Sequence, residues 1–152
     1  MRSLYLVPFA LVACTSSSPD YGPPTSSTAI SLTRSGGFAP PGTNEQSVAI
    51  VGSNVTFMSS GMTEQATIET ADVAAIIDAM QQIDFLDLKG DYSTCATPAT
   101  DAPDAHFVVT LDAGSNDLSF YTGCSGGVFD DLQKLEQTIF DRSGFSAWVA
   151  SH

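Results

Sequence analysis

The sequence predicts an α+β domain in which an antiparallel sheet carries two helices packed on one face. Three observations lead to this class. Apolar and polar residues alternate in several short segments, apolar residues recur at helical spacing in two longer segments, and glycine or proline residues separate these segments. Along the chain the predicted order is β-β-β-(β)-α-β-β-α, in which the fourth strand is short.

The first half of the domain is expected to supply the first four strands. Alternation of apolar and polar residues predicts a strand over residues 28–34 and two more near 47–51 and 54–58. The last two are joined by Gly52-Ser53, a pair typical of a type II′ hairpin turn. A short fourth strand is predicted over residues 65–69.

Two later segments have the spacing of amphipathic helices. We expect Thr70 to cap the first helix, which ends near Ile83. The second begins after Gly126-Gly127 and ends at Ser143-Gly144. Their apolar stripes are Val73, Ile76, Ile77, Met80 and Ile83 in the first helix, and Val128, Leu132, Leu135 and Ile139 in the second. Phe145, Trp148 and Val149 are expected to fold back onto the core.

Between the two helices the chain is expected to form one further hairpin. Residues 106–111 and 118–121 alternate as strands do, and residues 112–116 are predicted to turn the chain. Residues 95–105 contain two prolines, so they are not expected to form a central strand. The returning strand brings Cys124 towards Cys95.

The first fourteen residues resemble a bacterial lipoprotein signal. A positive residue, an apolar segment and a small residue before the cleavage point mark an export peptide, predicted here over residues 1–13. Leu11-Val12-Ala13-Cys14 resembles the lipobox, in which the Cys14 sulfur receives a diacylglyceryl group. The alternatives are a short uncleaved helix or an ordinary secretory signal, whereas a transmembrane helix would need roughly 20 apolar residues.

Lipidation at Cys14 predicts a protein held in the bacterial cell envelope by membrane lipid. Thr15 stands where the inner-membrane retention signal of enteric bacteria places Asp, which favours the outer membrane. Residues 14–27 are rich in serine and proline, so we expect a flexible tether there. The globular domain is then predicted over residues 28–149.

Charge and cysteine content narrow the function classes. The chain of 152 residues has 17 acidic and 5 basic side chains, a net charge of −12, which argues against nucleic acid as a partner. With Cys14 lipidated, Cys95 and Cys124 remain as a pair in an oxidising compartment, where a disulfide is expected. The alternative is a metal site with His106, but the spacing of zinc-binding motifs is absent.

No catalytic motif stands out. The histidines are His106, within a predicted strand, and His152, at the terminus, so a nucleophile with a base would have to use His106. Two pairs of carboxylates have the residue types needed for acid–base catalysis: Asp101 with Asp104, and Asp130 with Asp131. Turn formation and helix starts explain these residues more simply. Phosphate-loop and EF-hand patterns are absent, so no enzyme activity, cofactor or metal is predicted.

Several residues resemble the emfourin family of small proteins that inhibit thermolysin-like zinc metalloproteases. These are Arg34-Ser35-Gly36-Gly37-Phe38 after the first strand, Ile83-Asp84-Phe85 at the end of the first helix, and Pro103-Asp104 before an alternating strand. The likeness covers about Ile30 to Ile139. It implies a metalloprotease as partner, and Cys95, Cys124, the lipobox and the tether depart from it.

A second resemblance is to uncharacterised bacterial envelope domains. Their later motif, Thr-Asp-x-Pro, matches Thr100-Asp101-Ala102-Pro103. Their first loop carries Gly-Cys-Phe-Gly-x-Cys-Pro, but Gly37 and Pro40 stand near the positions of those cysteines. Thiol chemistry in the first loop is therefore not expected here.

Three functional hypotheses follow. The first is a non-catalytic protein-binding domain, of protease-inhibitor type, that uses the loop Arg34, Ser35, Gly36, Gly37 and Phe38, because an aromatic side chain on a glycine-rich loop suits entry into a cleft. Phe38 could instead fill the core. The second is a structural or housekeeping envelope lipoprotein, and the third is an enzyme that uses His106.

Overall fold

The structure is a computed structural model that describes residues 20–37 and 45–152. Its strands are β1 (Ala29–Gly36), β2 (Gln46–Val51), β3 (Asn54–Ser59), β4 (Met62–Thr67), β5 (Pro103–Leu111) and β6 (Gly114–Tyr121). Its helices are α1 (Thr70–Gln82), α2 (Val128–Arg142) and α3 (Phe145–Ala150), and a 3₁₀ turn lies at Phe85–Asp87. Within the described ranges, none of the helices combines the length and apolar character that a membrane crossing requires.

The six strands form one antiparallel sheet in the order β4-β3-β2-β1-β5-β6. Buried residues on neighbouring strands face one another, and one such row runs through Phe57, Val48, Leu32, Phe107 and Leu118. Because side chains alternate along a strand, this pattern leaves one sheet face to the core and the other to solvent. The predicted α+β class is confirmed, including the fourth strand.

The helices cover the core face of the sheet. The apolar stripes of α1 and α2 are buried in the same cluster as the strand residues, as their spacing predicted. α3 is a third, short helix in which Phe145 and Trp148 are buried. The Phe145 ring lies 4.8 Å from that of Phe140, and the Trp148 ring lies 5.5 Å from that of Phe57. The expected return of this segment onto the core is confirmed.

Three tight turns join neighbouring strands; the first agrees with the sequence prediction and the other two differ from it. Gly52-Ser53 joins β2 to β3 with a positive φ at Gly52 only, as a type II′ turn requires. Ser60 and Gly61, which both have positive φ, form the turn between β3 and β4. β4 therefore begins at Met62, three residues before the predicted start. Asp112-Ala113 alone turns β5 into β6, so the predicted turn over 112–116 was too long. The strand start at Met62 was missed although Ser60-Gly61 is a pair typical of turns, and the second turn was predicted too long because Gly114, Ser115 and Asn116 are also common turn residues.

Two element starts also differ. α1 begins at Thr70, and Glu69 occupies the cap position without a side-chain hydrogen bond, so the predicted cap at Thr70 was one residue late. β5 begins at Pro103, within the segment that was not expected to be a central strand. The proline is tolerated because it is the first strand residue, where a missing N–H costs little.

The domain begins earlier than predicted. Tyr21 is buried, its hydroxyl accepts a hydrogen bond from the Leu86 N–H at 2.9 Å, and its own N–H donates to Gln81 at 3.3 Å. The Ser27 hydroxyl donates to Asp112 at 2.8 Å. The tether predicted over residues 14–27 was therefore wrong for its last part, since one aromatic residue in a polar segment suffices to dock it.

Candidate functional site

The predicted binding loop lies where β1 ends. Ser35, Gly36 and Gly37 are exposed, and both glycines have positive φ. A Cβ atom at Gly37 would approach the Asp101 carbonyl oxygen to 3.3 Å, so the loop passes close to the turn before β5. We call this region the loop end: residues 34–37 with residues 101–103 and 122–126. Phe38 and Cys14 lie outside the described residues.

Arg34 lies on the core-facing side of β1, two residues after Leu32. Its Nε donates to Glu136 Oε1 at 2.7 Å, and its guanidinium lies 5.5 Å from the centre of the Phe140 ring. The side chain remains 34% exposed. An arginine held by a carboxylate and by an aromatic face has few conformations left, so the base of the loop is rigid.

Glu136 is the residue that sequence analysis missed. It is only 2% exposed, and burial raises the pKa of its carboxyl group, an effect that the hydrogen bond and positive charge of Arg34 partly oppose. A signal for it exists in the sequence, because position 136 falls within the apolar stripe of α2 beside Leu135 and Ile139. A charged residue in such a stripe requires a buried partner.

A cleft of about 530 Å³ opens beside this ion pair. Its lining is polar and contains both signs of charge: Arg34, Thr122, Asp130, Gln133, Lys134 and Glu136. Gln133 donates to the carbonyl oxygens of Thr122 at 3.0 Å and Cys124 at 2.7 Å, which ties α2 to the loop end. The cleft therefore offers hydrogen-bonding groups on a fixed frame.

A disulfide joins Cys95 to Cys124, as predicted, with Cα atoms 5.8 Å apart. It holds residues 92–99 along the outer side of β6. The Tyr121 N–H donates to the Tyr92 carbonyl at 2.9 Å, and the Ala99 N–H donates to the Gly123 carbonyl at 2.7 Å. The Tyr121 hydroxyl also donates to the Ala99 carbonyl at 2.8 Å. One side of the loop end is thereby fixed covalently.

His106 lies away from the loop end, on the solvent-facing side of the sheet. Its Nε2 is 2.7 Å from Asp117 Oδ1, and Ser119 is its cross-strand neighbour on β6. These are the side-chain types of a hydrolytic triad, but His106 is 44% exposed on a flat face. Neighbouring backbone N–H groups on central strands are used by the sheet ladder, which leaves few donors for a developing oxyanion.

The described residues contain no group of three or more His, Cys, Asp or Glu side chains placed to hold a metal ion. No protein-family model matches the chain, and a search of curated proteins gave no match.

Proposed function

We propose that the chain is a lipid-anchored protein of the bacterial cell envelope whose domain binds a protein partner, without catalysis, through the loop end. The observation that carries the proposal is the Arg34–Glu136 ion pair at 2.7 Å beneath an exposed Gly36-Gly37 segment. Burying a glutamate costs free energy. The buried Glu136 holds the Arg34 side chain in place at the base of an exposed loop. Fixing a recognition loop before binding reduces the entropy lost on association.

The adjoining surfaces support the same assignment. The disulfide fixes residues 92–99 beside the loop, and Gln133 fixes α2 below it. The cleft beside Arg34 has polar lining groups suited to hydrogen bonds from a peptide backbone or side chain. A non-catalytic binding role uses all these features, whereas an enzyme using His106 would use none of them.

The proposed partner class is a thermolysin-like metalloprotease, and an inhibition assay tests it. Increasing amounts of the full chain, oxidised at Cys95 and Cys124, are added to such a protease while cleavage of a small peptide is followed. We expect inhibition that Phe38→Ala weakens at least tenfold and that Ser119→Ala, on the open sheet face, leaves unchanged. Undiminished peptide cleavage at micromolar chain would remove this target class.

Capture from envelope membranes, with the full chain as bait, tests for a partner other than a metalloprotease. A protein retained by the wild type and lost with Arg34→Ala supports a binding role at the loop end. Recovery of envelope-assembly proteins that is insensitive to Arg34→Ala would instead support the structural lipoprotein hypothesis.

The anchor is tested separately. Cells are labelled with palmitate, and we expect label on the wild-type chain and none on Cys14→Ser. An unlabelled wild-type chain that retains Met1 would contradict the lipid anchor and leave the binding assignment to the other two tests.

A further inference from the structure

β4 is the outermost strand on one side of the sheet, and among the described strands only β3 pairs with it. Ser59 and Met62 close the two-residue turn, and the Ile68 N–H donates to the Ser53 carbonyl at 2.9 Å. Even-numbered residues of β4 therefore direct their backbone groups towards β3. The backbone groups of Thr63, Gln65 and Thr67 point away from the sheet. We call this side of β4 the open edge.

The open edge has few of the features that normally prevent strand pairing. β4 contains no proline or lysine and has one charged residue, Glu64. The Glu64 carboxylate accepts a hydrogen bond from Trp148 Nε1 at 2.6 Å, which directs it over the core side of the sheet. The three residues whose backbone groups point outward, Thr63, Gln65 and Thr67, are uncharged.

An exposed apolar side chain and a cleft of mixed apolar and charged lining lie at opposite ends of β4. Met62, at the start, is 42% exposed and faces the helix side of the sheet. Near the other end lies a cleft of about 800 Å³, which we call the β4 cleft. Its apolar lining comes from Phe57, Ala66 and Ile68, and its polar lining includes Asp72, Asp141 and Arg142.

We propose that two copies of this chain pair through their open edges, antiparallel, with Gln65 on the two-fold axis. Each Met62 then lies opposite the partner's Ile68 and enters the partner's β4 cleft. Thr63 lies opposite the partner's Thr67, and Glu64 opposite the partner's Ala66. Every outward backbone group of Thr63, Gln65 and Thr67 gains a hydrogen bond, and the two sheets become one of twelve strands.

The proposed register follows from charge and from side-chain direction. Sliding one β4 strand along the other keeps the core-facing sides of the two sheets together only if the shift is a multiple of two residues. One such shift places Glu64 opposite the partner's Glu64, where like charges repel. The opposite shift places Glu64 against the partner's Ile68 and moves Met62 beyond the β4 cleft. The register centred on Gln65 avoids both, and its interface is self-complementary, as two-fold symmetry requires.

Cysteine cross-linking of the full chain in envelope membranes tests the pairing. Residues that face each other in a hydrogen-bonded antiparallel pair have Cα atoms about 5.5 Å apart, within the range that a disulfide spans. We expect Gln65→Cys to run at twice the chain mass on a non-reducing gel. Thr63→Cys is the matched control, because two such residues would be at least about 13 Å apart. A monomeric Gln65→Cys chain, or equal cross-linking by Thr63→Cys, would overturn the proposal.

Sedimentation equilibrium on the purified, oxidised full chain in detergent gives an answer that does not depend on cysteine chemistry or on location in the cell. We expect a dimer for the wild type and a monomer for Met62→Glu, which would bring a carboxylate beside Asp72 and Asp141. Val108→Glu is the control, since Val108 is similarly exposed but lies on the other sheet face; it should remain dimeric. A monomeric wild type at about 100 μM, or a dimeric Met62→Glu, would contradict the pairing. None of these outcomes depends on what the loop end binds.

Discussion

The two outer strands of the sheet, β6 and β4, differ in whether another part of the chain covers their outer side. On the outer side of β6, which we call the closed edge, residues 92–99 hydrogen-bond to Tyr121 and Gly123 and are held by the Cys95–Cys124 disulfide. Beside them, the Asp117 N–H is satisfied by its neighbour Asn116. The open edge at β4 has no such cover among the described residues.

This contrast separates two kinds of surface. The closed edge adjoins the loop end, so the covalent bond fixes the position of the surface that we propose to bind a partner. The open edge keeps its backbone groups available, and such groups favour association with another strand. We therefore expect substitutions at the closed edge to change stability and loop-end binding, and substitutions at the open edge to change association.

Removing the disulfide is the largest expected effect. The bond closes a segment whose cysteines are 29 residues apart, so replacing both cysteines with alanine should lower the free energy of unfolding by about 3.5 kcal/mol. Urea denaturation measures the loss, and hydrogen exchange should show early exposure of the Tyr121 N–H. Reduction of the wild type should reproduce the effect, and reductant should not affect the double variant. A loss below about 1 kcal/mol would mean that the closed edge is held by hydrogen bonds alone.

The ion pairs near the two edges should differ in strength. Arg34→Ala leaves Glu136 buried without its positive partner, and we expect a loss of about 2 kcal/mol in unfolding free energy. Arg142→Ala removes an ion pair with Asp72 that is more exposed than the Arg34 pair, with Arg142 Nη1 3.2 Å from Asp72 Oδ1. We therefore expect its unfolding free energy to fall by no more than about 0.5 kcal/mol. Thermal and urea unfolding of both variants gives the comparison. Equal losses would contradict the special role of the Arg34 pair.

Gly123 is expected to be necessary at the closed edge because of close packing. A Cβ atom there would collide with Tyr121 Cε1 and lie 2.7 Å from the Ala99 carbonyl oxygen. We expect Gly123→Ala to cost about 1–2 kcal/mol, since the backbone of residues 92–99 would have to move. Ser125→Ala, an exposed neighbour, should be neutral. Wild-type stability of Gly123→Ala would show that residues 92–99 are free to shift.

The pH dependence of Glu136 is the smallest expected effect. Burial raises the pKa of its carboxyl group in the folded protein above the ordinary value of 4.5, so the folded state binds the proton more tightly than the unfolded chain. Its contribution to stability is therefore complete below about pH 4.5 and is lost as the pH rises through the folded-state pKa. Glu136→Gln cannot titrate, so its stability relative to wild type should increase over this pH range. Parallel urea-derived profiles for the two proteins would contradict the raised pKa.

The sequence predicted most of the architecture because its signals were local. Alternation identified the strands, and helical spacing identified α1 and α2. The strands and helices depend on which residues are neighbours along the chain. The disulfide, whose cysteines are 29 residues apart, was predicted instead from the number of cysteines and from the expectation of an oxidising compartment.

The features that were missed depend on contacts between distant parts of the chain. The docking of Tyr21 needs the Leu86 N–H, 65 residues away, and the burial of Glu136 needs Arg34, 102 residues away. The glycines of the proposed binding loop could be read from the sequence, but the ion pair beneath that loop could not. Each missed residue left only a weak sign, such as a lone aromatic in a polar segment or a charge in an apolar stripe.

Site-specific photo-cross-linking in living cells tests the central claim most directly, namely that the two ends of the domain contact different partners. A photoreactive residue is placed at Ser35, at the loop end, or at Gln65, at the open edge. We predict that Ser35 gives an adduct with a different protein, lost when Arg34→Ala is added, and that Gln65 gives an adduct of twice the chain mass. The same adduct from both positions, or a Ser35 adduct indifferent to Arg34→Ala, would contradict the account.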